Sequence, residues 1–373
     1  MTTITEVRAR TVNVPLDNPT SFSNRQVLKR DYVLVEVVGD DGHVGIGFCY
    51  GGNNAGSLVA NAVRELLTPV LVGADAHATE ALWQAMYQES LLHGRSGSVM
   101  RAISILDTAL WDRNARAANL PLYKYLGASD THSVPAYASG GYYLDGKSPD
   151  MLGQEMAGYV AKGFTAVKMK VGREDLDGEE ARLAAVREAV GPNVQVMLDA
   201  NNAWRDLPSA LAFMRMAEPY NPFWIEEPFS PDDIDNHRRL AERTPIPVAT
   251  GEIEAGRWRF KELLEKDAAM ILQTDVAVCG GITEFRRIAA TAASFGVDVY
   301  PHWFHDLHIH LVASAPNVKM VEFFADDQVL NFRRLIDTQL EFANGQLLLP
   351  AAPGLGFSFD QTALDRYAIE SWH

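Results

Sequence analysis

The stretch 164-FTAVKMKVG-172 reads as a short buried strand that ends in two lysines, Lys168 and Lys170. Residues two positions apart on a strand project from the same face. In a buried setting each ammonium makes the other harder to desolvate and repels it. That lowers an amine pKa and makes a usable base. A solvated edge strand would give the same letters, so the decision falls to the rest of the chain.

After about residue 132 this strand has company. Strand-like runs fall at 134-VPAYASG-140, 164-FTAVKMKV-171, 194-VQVMLDA-200, 223-FWIEEP-228, 247-PVATGE-252, 270-MILQTD-275, 297-VDVYPH-302 and 318-VKMVEFF-324. Amphipathic helical stretches lie between them. One of these starts at Ser148-Pro149, a cap followed by a proline in the first turn. Strands alternating with helices predict a parallel β/α barrel over 131–325, and the eighth helix is not evident. Residues 1–130 have a different texture. Alternating residues 1–16 predict a strand, 17-DNPTSFSNRQ-26 a loop, and 31-DYVLVEVVGDDGHVGIGF-48 a hairpin turning at Asp-Gly. Helical spacing follows over 57–70, 78–92 and 98–118. This is an N-terminal α+β capping domain. Residues 326–373 are expected to leave the barrel and pack back on it.

The chain has 373 residues, 47% hydrophobic and 22% charged, with a formal net charge of −15. That length suits two domains or a large barrel with an appendage. The acidic balance argues against nucleic acid as a partner, because phosphate binding needs a basic face. No apolar run is long enough to span a bilayer, and MTTITEVRAR lacks the apolar stretch of a signal peptide. The two cysteines, Cys49 and Cys279, sit in apolar contexts and are expected as buried free thiols, which suits a cytoplasmic protein.

The barrel strands end in ionisable residues: Lys168 and Lys170, Asp199, Glu226 with Glu227, Glu252, Asp275, His302 and Glu322. The carboxyl ends of barrel strands form the active-site face of this architecture. As core residues, so many unpaired charges would be severely destabilising. Asp199, Glu226 and Glu252 fall on three adjacent strands and repel unless a cation lies between them. An all-oxygen set suits Mg2+ first and Mn2+ second, and disfavours zinc. Glu227 is expected to point away from Glu226, as a supporting residue. Lysine and His302 flank the trio from opposite sides, and Asp275 orients the imidazole. Glu322, if protonated, hydrogen-bonds a substrate carboxylate. The implied chemistry is abstraction of a proton next to a carboxylate.

These residues carry a resemblance. The chain resembles the mandelate racemase subgroup of the enolase superfamily along nearly its whole length. The helix in 102-AISILDTALWDRNARAANLPLYKYLG-127 is similar to the end of that family's capping domain. Lys168-Met169-Lys170 matches its Lys-x-Lys motif. Asp199 in LDANNAW, Glu226 in WIEEP and Glu252 in ATGE match its metal ligands, and Asp275 with His302 its His-Asp dyad. The resemblance implies a modified (β/α)7β barrel, one Mg2+ per subunit, Lys170 as base with Lys168 as its neighbour, and Glu322 as electrophile. It implies substrate contact at Asn201 and a homo-oligomer, dimer or octamer. Within 300-YPHWFHDLHIH-310, His302 is preferred; His305 and His308 could reach the pocket rim, and His310 belongs to the following helix.

The subgroup supports several reactions on one catalytic set, so the cap loops must select among them. Ser21, Ser23, Asn24, Arg25, Asn53 and Asn54 are polar and suit a hydroxylated chain, with Arg25 placed to hold a second carboxylate. Tyr137 on the first barrel strand and Lys168 join the candidates for substrate contact. The expected reaction is Mg2+-dependent dehydration of an acid sugar, an aldonate or aldarate, to a 2-keto-3-deoxy acid through a metal-stabilised enediolate. Racemisation or epimerisation of a 2-hydroxy acid, sugar-lactone cycloisomerisation and a non-catalytic metal-dependent binding protein are the alternatives.

Overall fold

The computed structural model describes residues 2–22, 25–129, 131–325 and 327–373, with the side chains of Phe22 and Arg25 outside that description. The cap begins with an antiparallel meander of β1 (Ile4–Phe22), β2 (Arg25–Gly39) and β3 (Val44–Tyr50). Both of its faces are buried: Val12, Val14 and Phe48 lie on one, and Val33 and Val35, with Gly45 and Gly47, on the other. The turn between β2 and β3 uses Gly42 at φ +81°, as an Asp-Gly hairpin requires. Residues 17–22 and 25–26 are not in the expected loop. They prolong the β1–β2 ribbon, with Thr20 opposite Val27 and Ser21 opposite Gln26, after a register shift between Pro15 and Thr20. Polar residues suffice there because the paired backbones satisfy one another, and Ser21 bridges on to Tyr143 above the barrel.

The helix Gly97–Ala117 lies across β3 and buries Met100, Ile103, Leu106, Ala109 and Leu110. Gly45 and Gly47 make that approach possible. A Cβ on them would sit 2.0 Å from the Ala109 carbonyl oxygen and 1.9 Å from that of Ile105.

The barrel strands are β4 (Ser133–Ser139), β5 (Ala166–Lys170), β6 (Gln195–Asp199), β7 (Trp224–Glu226), β8 (Val248–Thr250), β9 (Ile271–Leu272), β10 (Asp298–Val299) and β11 (Val321–Phe323). Each pairs in parallel with the next through β10, and β11 returns to β4. A parallel bridge from Val299 to Val318 completes the ring. Helices connect successive strands, and several start on side-chain caps: Ser148 accepts from Met151 N, Asp175 from Gly178 N, Asp206 from Ser209 N and Asp233 from Asn236 N. No α-helix follows β11 directly among the described residues; a 3-10 turn at Asn331–Leu335 takes its place, and the short helix Gln361–Tyr367 comes later, beside β1. The protein therefore has the expected (β/α)7β barrel with an N-terminal α+β cap. Tyr137, Ala166, Met197, Trp224, Ala249, Ile271 and Tyr300 plug the barrel interior, which makes a dry floor for whatever sits above.

The last segment divides. A hairpin of β12 (Phe342–Ala343) and β13 (Gln346–Leu348) pairs antiparallel with the start of β4. The remainder runs back to the cap, where Ala9 N donates to His373 O at 2.8 Å and Ile369 N to Thr11 O at 3.1 Å. Cap and barrel also meet through the helix Gly97–Ala117 and the segment after β9. Asp107 accepts from Thr283 N at 2.8 Å and from Thr283 Oγ1 at 2.6 Å. Ser104 Oγ accepts from Gly280 N at 2.9 Å, and Trp83 Nε1 donates to Gly280 O at 2.7 Å. Among the described residues no helix is long and apolar enough to cross a membrane. Cys49 and Cys279 are free and buried.

Candidate active site

Strand register sets the floor of the site. Lys170 of β5 lies opposite Asp199 of β6, which lies opposite Glu226 of β7. Glu252, Asp275 and His302 follow two or three residues beyond the ends of β8, β9 and β10. Asp199, Glu226 and Glu252 each offer a carboxylate oxygen, and these atoms all lie within 4.8 Å of one another. All three residues are buried, and Glu252 Oε2 has no hydrogen-bond partner. Burial, then Glu227 and Glu226, push the Glu252 carboxyl well above the usual range. A buried, mutually repelling oxygen trio with an orphaned acceptor fits a hard divalent cation.

The lysines engage this floor as cations. Lys168 Nζ lies 2.8 Å from Glu226 Oε1, 2.7 Å from Glu322 Oε1 and 3.7 Å from Asp199 Oδ2. Lys170 is ion-paired with Asp199. The expectation that Lys168 depresses the pKa of Lys170 is overturned. Burial and Lys168 do act downward, but Asp199 and the Tyr142 hydroxyl outweigh them and hold Lys170 above the ordinary lysine range. Lys168 is likewise held well above that range, because Glu226 and Glu322 outweigh the cost of burial. A protonated Glu322 is overturned too. Burial raises its pKa, yet Lys168, His302 and Lys170 hold the carboxyl down at about 2. Its Oε2 accepts from Trp303 N at 2.8 Å.

On the far side, His302 Nδ1 lies 3.0 Å from Asp275 Oδ2, and His302 Nε2 lies 3.4 Å from Glu252 Oε1. Asp275 is held by its Oδ1, which accepts from Ala277 N at 2.8 Å. His305, His308 and His310 sit in the helix His305–Ser314, all buried and none on the cavity wall. His308 does not reach the rim; its Nε2 accepts from Val276 N at 3.0 Å, behind Asp275. Burial lowers the pKa of all three.

Above this floor lies a cavity of about 570 Å3, closed on the other side by the cap. Lys170, Asn201, Glu252, Asp275 and His302 line its barrel side, and Asn53 its cap side, as the sequence suggested. Lys168, Glu322 and Tyr137 do not line it. Tyr137 is wholly buried in the barrel plug, its ring 5.6 Å from Lys168 Nζ, so substrate contact there is corrected to support from below. Lys168 is corrected in the same way. Ser23 and Asn24 lie outside the described residues, as does the side chain of Arg25.

The sequence reading missed Arg30, Tyr50, Arg101, Asn202 and Trp303, which also line the cavity. It also misplaced Glu227. Rather than pointing away, Glu227 lines the cavity, because its backbone turns left-handed at φ +42° just past β7. Burial, then Asp199 and Glu226, raise its carboxyl to about 8. A non-glycine residue at positive φ costs energy and recurs at functional sites; no letter in WIEEP announces it.

A capped parallel barrel with a carboxylate trio between a lysine and a His-Asp pair defines a class of metal-assisted enzymes whose chemistry lies between cap and barrel. Residues 4–127 match the mandelate racemase / muconate lactonizing enzyme N-terminal domain, and residues 151–363 the enolase C-terminal domain-like family. The chain belongs to the mandelate racemase/muconate lactonizing enzyme family of the enolase superfamily. It is 35% identical to arabinonate dehydratase of Saccharolobus solfataricus over 350 residues, 91% of each chain. It is 34% identical to D-galactarolactone cycloisomerase of Agrobacterium fabrum, covering 98% of this chain and 99% of that one. Among solved structures, L-talarate/galactarate dehydratase from Salmonella typhimurium LT2, liganded with Mg and L-lyxarohydroxamate, superposes with a TM-score of 0.91 at 30% identity. That match covers 100% of this chain and 94% of that one.

Proposed function

We propose that this protein dehydrates an acid sugar to a 2-keto-3-deoxy acid with one Mg2+ held by Asp199, Glu226 and Glu252. The observation that carries the reading is the opposed pair: Lys170 on β5 and His302, backed by Asp275, on either side of the trio and open to one cavity. When bound, the cation would polarise the substrate carboxylate and offset the charge of Asp199, which is the counter-ion of Lys170. Either Lys170 or His302 then takes the proton from the carbon next to the carboxylate. His302, in its protonated form, gives a proton to the departing β-hydroxyl, so that one water leaves. The enol that results gains a proton at carbon 3 and becomes the keto acid. Lys168 and Glu322 form an ionised pair beneath the reacting carbons and hold Glu226 and the backbone at Trp303 in place. Asn201 and Asn53 offer polar groups to the hydroxylated chain.

The test is keto-acid formation by the purified protein with Mg2+ against a panel of mono- and diacid sugars, repeated with Lys170→Met and His302→Asn. Turnover that survives both substitutions would sink the assignment. The cycloisomerase relative, matched over 98% of this chain, favours a second reading in which a sugar lactone is isomerised on the same residues. Lactone consumption without release of a keto acid selects that reading.

A further inference from the structure

Arg30 and Arg101 stand on the cap side of the cavity, across from the strand ends. Arg30, on β2, is 2% exposed. Its Nε donates to Val329 O at 2.7 Å, and its guanidinium carbon lies 5.0 Å from the Tyr50 ring and 4.6 Å from that of Trp303. Arg101, near the start of the helix Gly97–Ala117, donates from Nη1 to Tyr50 O at 3.1 Å. Other buried arginines of this protein are neutralised: Arg10 by Asp365, Arg113 by Asp41 and Arg182 by Glu179. Among the described residues, neither Arg30 nor Arg101 has a carboxylate within ion-pair distance. The acids that line the cavity, Glu227, Glu252 and Asp275, all belong to the barrel side.

Burying a guanidinium without a counter-charge is costly. Two aromatic faces and one carbonyl offset part of that cost. They leave the planar fork of Arg30 without an anion in a cavity that must admit one. An acid sugar placed with its reacting carboxylate on the barrel floor extends its other end toward the cap. We infer that this far end carries a second carboxylate, received by Arg30 and Arg101, so that the protein acts on aldarates in preference to aldonates. This rests on the dehydratase reading above. It gives to Arg30 and Arg101 the role that the sequence suggested for Arg25.

The experiment compares kcat/KM, with Mg2+ present, for each aldaric acid and the aldonic acid of the same configuration. The diacid is expected to be preferred by at least about 100-fold, the discrimination that charge-assisted hydrogen bonds support. Arg101→Met should lower kcat/KM on the diacid at least about 30-fold, mainly through KM, and change the monoacid less than about threefold. Arg30→Met should do the same; because Arg30 is buried and that variant can fail to fold, Arg101→Met is the deciding one, with Arg101→Lys recovering part of the loss. Equal use of both acids of a pair, or an Arg101→Met loss of the same size on both, overturns the inference. Turnover of no acid in either series overturns the dehydratase reading instead, and this inference with it.

Discussion

Replacing Asp107 by asparagine should make the protein more resistant to heat at pH 8 while leaving it nearly unchanged at pH 4.5. Asp107 is wholly buried where the cap helix meets the barrel. Burial raises its carboxyl from an ordinary 3.8 to about 7, against the hydrogen bonds from Thr283 and the charge of Arg287, while Glu80 adds to the rise. The folded state therefore keeps a proton that the unfolded chain gives up. The associated stability is fully present below about pH 4 and is lost as pH rises through about 7. A difference of about 3 units corresponds to about 4 kcal/mol. At about 2.1 cal/mol/K per residue the unfolding entropy of 373 residues is about 0.8 kcal/mol/K, so the full effect is about 5 °C in Tm. Asparagine keeps one acceptor for Thr283 N but not a second for its hydroxyl, a loss of about 1 kcal/mol that does not vary with pH. The informative quantity is thus the change in the Tm difference between pH 4.5 and 8.5, read by calorimetry at one scan rate. Every other titrating group is common to both proteins and cancels. A difference that is flat with pH, or largest in acid, would refute the reasoning.

Asp275→Asn should lower kcat by about 10²–10⁴-fold with KM within about threefold, because the partner 3.0 Å from His302 Nδ1 no longer fixes the imidazole; steady-state kinetics and solvent-deuterium exchange at the α-carbon would report it, and an unaffected exchange rate would contradict it. Glu252→Gln should weaken Mg2+ binding at least about 10-fold in calorimetric titration and remove the rise in Tm that Mg2+ gives the parent protein, since one of three oxygens within 4.8 Å of each other loses its charge. Gly47→Ala should cost more than about 4 kcal/mol in urea denaturation, because the new methyl group meets the Ile105 carbonyl at 1.9 Å and must lift the helix Gly97–Ala117 from β3; a well-folded variant of parent stability would show that the approach is looser than described.

The eight barrel strands were legible as short apolar runs, and the titratable residue that ends each of the last seven also located the floor of the site. Asp199, Glu226, Glu252, Asp275, His302 and Lys170 follow directly from strand order. What was not legible depends on partners far apart in sequence. The charge on Glu322 is set by Lys168 two strands away, and that on Lys170 by Asp199 on the next strand. Glu227 escaped because alternation stops one residue past β7, where the backbone turns left-handed. Arg30 escaped because nothing in a strand's letters tells which of its neighbours will be aromatic faces rather than carboxylates. Residues 17–22 and 25–26 were misread because their polarity was taken for a loop, whereas a ribbon beyond the core needs only backbone pairing.

The contacts between β1 and the residues around 365–373 bear on the order in which the molecule assembles. Arg10 Nε donates to Glu370 O across 360 positions of sequence. During synthesis the first strand is made early, yet it receives these partners only after the whole barrel has left the ribosome. The cap meander and the barrel's neighbouring strand–helix units can form as they emerge, whereas the seam between β1 and the tail closes last, with a large loop-closure cost. A ribosome-bound chain stopped before residue 360 should then leave the Ala9 amide, whose acceptor is His373 O, open to hydrogen exchange while β1 amides bonded to β2 are protected. The cap wall that selects what reaches the site is thus made before the floor of carboxylates, and the seam at 365–373 joins β1 last.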